Sequence, residues 1–85
     1  MPLNEIGVPG RVVGAKAVRR ALSEGGIAKV FIARDAKGPI VDRLEEQARV
    51  GGIPVEWAES MEKLGRACAI GCKAAAAGIP SGLKN

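Results

Sequence analysis

The chain has 85 residues, 47% of them apolar, with thirteen Lys and Arg against nine Asp and Glu, one Phe, one Trp and no His or Tyr. That length makes one domain with a thin aliphatic core, and without imidazole or phenol, or a carboxylate pair or Ser beside a base, an enzyme is not expected. No apolar run approaches the roughly 18 residues of a membrane span, and the opening "MPLNEIGVPGR" lacks the apolar region of a secretory signal, which points to the cytoplasm.

The net charge of +4 is unevenly spread. Residues 1–20 carry four cations against one acid, 21–59 five against seven, and 60–85 again four against one. A fold that joins the two ends of the chain would therefore show one basic face.

In chain order, residues 1–10 read as a flexible lead-in containing Pro and Gly, and Arg11 to Val13 as a short strand stopped by Gly14. Ala15 to Glu24 carries Val18, Ala21 and Leu22 at the i, i+3, i+4 spacing of an amphipathic helix, closed by Gly25 and Gly26. Lys16, Arg19 and Arg20 fall off that stripe and face solvent or a partner. A strand, a glycine and a helix N-terminus together present backbone N–H groups and a positive dipole end, a setting that favours an anion. Cations at that end oppose the dipole at about 0.3 to 1 kcal/mol each, a cost that an anionic partner would offset.

"AKVFIA", Ala28 to Ala33, is a continuous apolar run, the pattern of a central strand covered on both faces, so helices are expected on both sides of a sheet. "RDAKGP" is a loop, and Pro39 opens a helix with Ile40, Leu44 and Ala48 at every fourth position, ended by Gly51 and Gly52. Ile53, Val55 and Trp57 alternate with Pro54 and Glu56, as in a half-covered or edge strand. Strand, helix and strand make one right-handed crossover. Ser60 then caps a short helix with Met61, Leu64 and Cys68 on one side.

The stretch "AIGCKAAAAGIP" is ambiguous, because four alanines favour helix while Gly71, Gly78 and Pro80 bracket a piece short enough for a strand. It is read as the strand that completes the sheet, with 80–85 as a flexible tail. The fold class is α/β, a three-layer α/β/α sandwich around a small mixed sheet of about four strands.

Cys68 and Cys72 are read as reduced, small apolar residues, since one pair without His supports neither a disulfide framework nor a metal site. Cys72 beside Lys73 could be an activated thiol, but its spacing from Cys68 is helical only if the helix runs through Gly71. "GVPGRVVGAK" lacks the Lys-Ser/Thr ending of a nucleotide-hydrolase phosphate loop. Phe31 in the apolar run and a solitary Trp57 do not make a platform for stacking single-stranded bases. Recognition through backbone and cations remains, which suits a structured nucleic acid and calls for no cofactor.

"VVGAKAVRRALSEGGIAKVFIARDA", "GIPVEWAESMEKLGRACAI" and the alanine-rich end resemble the small bacterial, YbxF-type members of the ribosomal protein family L-seven-Ae / L-thirty-e, over about Arg11 to Ile79. "VGAK" and "ESMEKLGRACAI" are the most specific pieces. The resemblance implies a monomer that binds kink-turn RNA, in the ribosome or in an mRNA leader, and clamps its bend at tandem sheared G·A pairs. By that resemblance Gly14 and Ala15 let the backbone approach the widened major groove, Lys16 meets base edges or phosphates, and Arg20 holds phosphates of the bend. The loop Ala69, Ile70, Gly71, Cys72 and Lys73 would close over flipped-out nucleotides with Ile70 as an apolar cover, and Arg34 and Lys37 would touch the same region. Where the family carries Glu or Gln after the lysine this chain has Ala17, which removes a base contact worth roughly 1 to 3 kcal/mol. The family's acid after the central strand is replaced by Lys37 and Gly38. The alternative is a protein-interaction module on the same fold, docking a partner through the loop around Ile70 and binding RNA only non-specifically.

Overall fold

The computed structural model describes residues 6–81, and the parts of the expected lead-in and tail at 1–5 and 82–85 lie outside the described residues. The elements run β1 (Val12–Val13), α1 (Ala15–Ser23), β2 (Ile27–Ala33), α2 (Pro39–Val50), β3 (Val55–Ala58), α3 (Met61–Ala67) and β4 (Ala76–Pro80). The sheet order is β1-β4-β2-β3, with β4 antiparallel to both neighbours and β2 parallel to β3. The sheet is thus mixed and four-stranded, and the alanine-rich end supplies one of its two inner strands.

The sandwich follows from the alternation of side chains along β2. Val30 and Ile32 enter a cluster with Val18 of α1 and Val41, Leu44 and Ala48 of α2. Phe31 and Ala33 point the other way, into a second cluster with Leu64 and Cys68 at α3. A run buried on both faces needs no polar positions, which is why "AKVFIA" shows none but Lys29. β4 divides in the same way, Ala76 to the first cluster and Ala77 to the second. Small residues suit a strand so tightly enclosed: a Cβ on Gly78 would lie 2.8 Å from Ile27 Cδ1.

Two local expectations need correction. β3 is the edge strand expected, but it starts only at Val55, and its buried position is Ala58 while Trp57 is 37% exposed. The Pro54 carbonyl accepts from Val30 N at 3.0 Å, while its nitrogen has no proton to give. The described part of the lead-in is also integral to the fold, since Ile6 is fully buried beside Phe31 and Leu64. At the other end Pro80 belongs to β4, and Ser81 donates from N to Gly26 O at 2.9 Å and from Oγ to Gly25 O at 3.0 Å.

α3 has only seven residues, too few to persist by propensity, and its start is held by two oxygen acceptors. Ser60 Oγ accepts from Lys63 N at 3.0 Å, and Asp35 Oδ1, from the loop after β2, accepts from Met61 N at 2.7 Å. Ser60→Ala should lower unfolding stability by about 1 kcal/mol, read from urea denaturation, since it removes one of these caps and leaves the other.

Candidate functional site

The strand directions bring four segments to one end of the sheet. β1 and β2 both run antiparallel to β4, so their C-terminal ends meet its N-terminal end, where Gly14 N donates to Ala76 O at 2.8 Å and Ala33 N to Ala75 O at 2.9 Å. β3, parallel to β2, ends there as well, with Arg34 N donating to Ala58 O at 2.9 Å. The start of α1 (Gly14, Ala15, Lys16), the loop after β2 (Arg34 and Lys37) and the loop into β4 (Ala69, Ile70, Gly71, Cys72, Lys73) therefore share this end.

Gly14 is the N-cap of α1 at φ +104°, a conformation open to glycine and strained for other residues. Among the described residues no side chain caps the helix, and its first turn, Ala15, Lys16 and Ala17, contains no acid. Its N–H groups are left to an external acceptor, in the setting that the dipole makes attractive to an anion. Lys16 and Arg20 are exposed and lie four residues apart, hence on one helix face about 6 Å from each other along the axis. Arg19 departs from expectation: its Nε donates to Gln47 Oε1 at 3.1 Å, and Gln47 Nε2 donates back to Arg19 O at 3.2 Å. It binds α1 to α2 rather than facing outward.

The loop into β4 begins with Ala69 at φ +61°, the one non-glycine residue with positive φ among those described. That turn ends α3 and sends Gly71, Cys72 and Lys73 to the surface, while Ile70 stays half-buried against the Phe31 cluster. Gly65, inside α3, makes room for the loop, because a Cβ there would sit 2.0 Å from Cys72 O. With Glu62 and Arg66 the loop lines an open cleft of about 610 Å³.

Arg11 also proves to be committed. Its Nε donates to Cys68 O at 2.9 Å and its Nη1 to Val8 O at 3.2 Å. Lys16, Arg20, Arg34, Lys37 and Lys73 are exposed at or beside this end, as are Lys63 and Arg66 of α3, each paired with a glutamate. Acids border them as well: Asp35 follows Arg34 in the loop, Glu62 shares the cleft with Lys73, and Glu59, after β3, takes a hydrogen bond from Lys63, whose ammonium, with help from Arg34, holds its carboxyl below the usual carboxylate range. Of the two thiols read as small apolar residues, only Cys68 is buried. That burial pushes its thiol up despite the nearby Arg11 charge, whereas Cys72 is exposed because the chain has left the helix by then. Among the described residues no group of His, Cys, Asp and Glu could hold a metal, and no helix is long and apolar enough to cross a membrane.

Two measurements check this geometry. Replacing Ala69 with Gly removes a left-handed alanine costing about 1 to 2 kcal/mol but loosens the unfolded chain by about 0.4 to 1 kcal/mol. The net gain should be about 0.5 to 1 kcal/mol in denaturant unfolding. In native buffer iodoacetamide should add one label, at Cys72, and a second at Cys68 only under denaturing conditions, as read by mass spectrometry of peptides.

No protein-family model matches the chain. Individual relatives do: it is 46% identical to an RNA-binding protein of Geobacillus sp. WCH70 and 43% identical to the RNA-binding protein YbxF of Geobacillus stearothermophilus, each over 68 residues, 80% of this chain and 83% of theirs. These names describe RNA-binding proteins and not enzymes, the class anticipated from a chain without His or Tyr. Among solved structures, a Giardia lamblia 15.5 kD RNA-binding protein superposes with a TM-score of 0.83 at 28% identity over 93% of this chain and 70% of that one. A Bacillus halodurans protein of unknown function shares the fold at a TM-score of 0.79 and 22% identity, over 91% and 81% of the two chains. With more than four residues in ten shared over four-fifths of both sequences, the chain belongs to the bacterial family of RNA-binding proteins that includes YbxF.

Proposed function

We propose that the protein binds kink-turn RNA and acts as a passive clamp on the bend. The observation that carries this reading is the convergence at one end of the sheet of an uncapped helix N-terminus, exposed cations and an irregular loop with a half-buried Ile. The names of the relatives and of the Giardia structure support RNA as the class of partner.

In this reading the N-terminus of α1 enters the widened major groove, where Gly14 and Ala15 have no side chain long enough to block the approach. Lys16 meets base edges or phosphates of the G·A pairs, and Arg20 holds phosphates one turn further on. Arg34, Lys37 and Lys73 add charge around the bend. The loop from Ala69 to Lys73 closes over the flipped-out nucleotides, and Ile70 offers them the part of its surface that the core leaves open. Ala17, exposed beside Lys16, contributes no hydrogen bond to a guanine. Recognition then leans on phosphate contacts and on the shape of the bend more than on base edges. The protein works as a cytoplasmic monomer on a ribosomal or leader RNA.

The test is a titration of the protein against a kink-turn RNA and against the same RNA with its G·A pairs changed to Watson–Crick pairs, each at two salt concentrations. The kink-turn should be preferred at both salts. Lys16→Ala and Arg20→Ala should each weaken binding and reduce the slope of log K against log salt by about one. Equal, salt-sensitive binding to both RNAs would sink the clamp and leave a protein-interaction module with a merely basic face.

A further inference from the structure

The loop Ala69–Lys73 has no regular structure of its own, yet its backbone is fixed from outside. Arg11 lies just before β1 and spans two carbonyls, Val8 O and Cys68 O, the second belonging to the C-cap of α3. Gly65 lets the loop rest directly on α3, with its missing Cβ filled by Cys72 O and its own carbonyl accepting from Ile70 N at 3.2 Å. The chain passes from Arg11 through β1 to Gly14 in three residues. The guanidinium therefore ties the end of α3, where the loop begins, to the segment that delivers the N-terminus of α1.

We propose that Arg11 and Gly65 are positioning residues that set the loop Ala69–Lys73 at a fixed distance from the α1 N-terminus, and that Arg11 acts through this tie and not by pairing with a phosphate. This deepens the kink-turn reading above and rests on it. By charge alone Arg11 counts with the other cations near the chain's beginning, but both of its bonded nitrogens are directed at backbone. A planar fork suits two separate carbonyls; a lysine ammonium on a flexible stem would hold one and release the other. A loop already in place loses less freedom on binding, so releasing it should weaken recognition that depends on the loop and leave untouched the attraction that depends on charge. The slope of log affinity against log salt reports the number of phosphates neutralised, which separates the two roles.

The experiment compares native protein with Arg11→Ala, Arg11→Lys and Gly65→Ala. Hydrogen exchange of the Ile70 amide is followed by NMR without RNA, and the two RNAs described above are titrated at two salts. In Arg11→Ala the Ile70 amide should exchange at least tenfold faster while Val30 in β2 is unchanged, and preference for the kink-turn should fall about tenfold with the salt slope kept. Arg11→Lys should recover part of both effects. Gly65→Ala should repeat the loss of preference, and if it does not fold, the Arg11 variants decide. Unaltered Ile70 exchange in Arg11→Ala overturns the proposal whatever the RNA does. So does a drop in salt slope with both RNAs weakened equally, which would make Arg11 a phosphate contact. A native protein without preference for the kink-turn overturns the functional reading itself, and that outcome is seen before any variant is compared.

Discussion

Pairing along β4 is the constraint on which the remaining geometry depends. β1 has two residues and one neighbour in the sheet, so its place in the sheet is set by its ladder with β4. The next donor after that ladder, Gly14 N, binds Ala76 O, and one residue earlier in the same segment Ala75 O accepts from Ala33 N. Ala75 and Ala76 thus hold the start of α1 and the end of β2 in one frame, while the loop before them is the segment seated on α3. Each part of the candidate site is irregular or terminal, and this shared strand is what fixes the start of α1 relative to the end of β2.

The same frame explains how charge is used. Helix α1 begins with a positive dipole end, an uncapped set of N–H groups and a lysine, an arrangement that is unfavourable in isolation. Packing against α2 offsets part of the strain, with Val18 wholly buried and the Arg19–Gln47 pair joining the two helices. Arg11 and Arg19 have been drawn onto backbone and amide oxygens, while Lys16, Arg20, Arg34, Lys37 and Lys73 stay exposed at or beside the end where the segments converge. A tally of charges along the sequence cannot make that division, because it is a matter of which acceptors fold within reach.

What was legible in the sequence was local. Val18 and Leu22, Leu44 and Ala48, the Ser60 cap and Pro39 at the start of α2 each express a period or a terminus within a few residues, and each appears in the structure as expected. β4 was legible only by combining its glycine and proline boundaries with the need for another strand. The partners of Arg11 and Arg19 come from distant parts of the chain and leave no local mark. Cys68 and Cys72 look equivalent at helical spacing, and the left-handed Ala69 between them is what makes one buried and the other exposed. A signal did exist for the loop's seat: a glycine inside a helix costs about 1 kcal/mol relative to alanine, and Gly65 meets that cost because another stretch of backbone must approach.

The position of β4 also imposes an order in time. β2, α2 and β3 are consecutive and pair in parallel, so they can assemble as soon as their own residues are available. β1 cannot join them, because its partner is the last strand in the chain, and long-range pairing of this kind comes late in folding. A nascent or clipped chain without β4 would carry every cation named at the site, yet Gly14 would lack its Ala76 acceptor and α1 would be held through α2 and β2. Whether the start of α1 and the end of β2 stand in one frame is therefore a readout of whether β4 has docked.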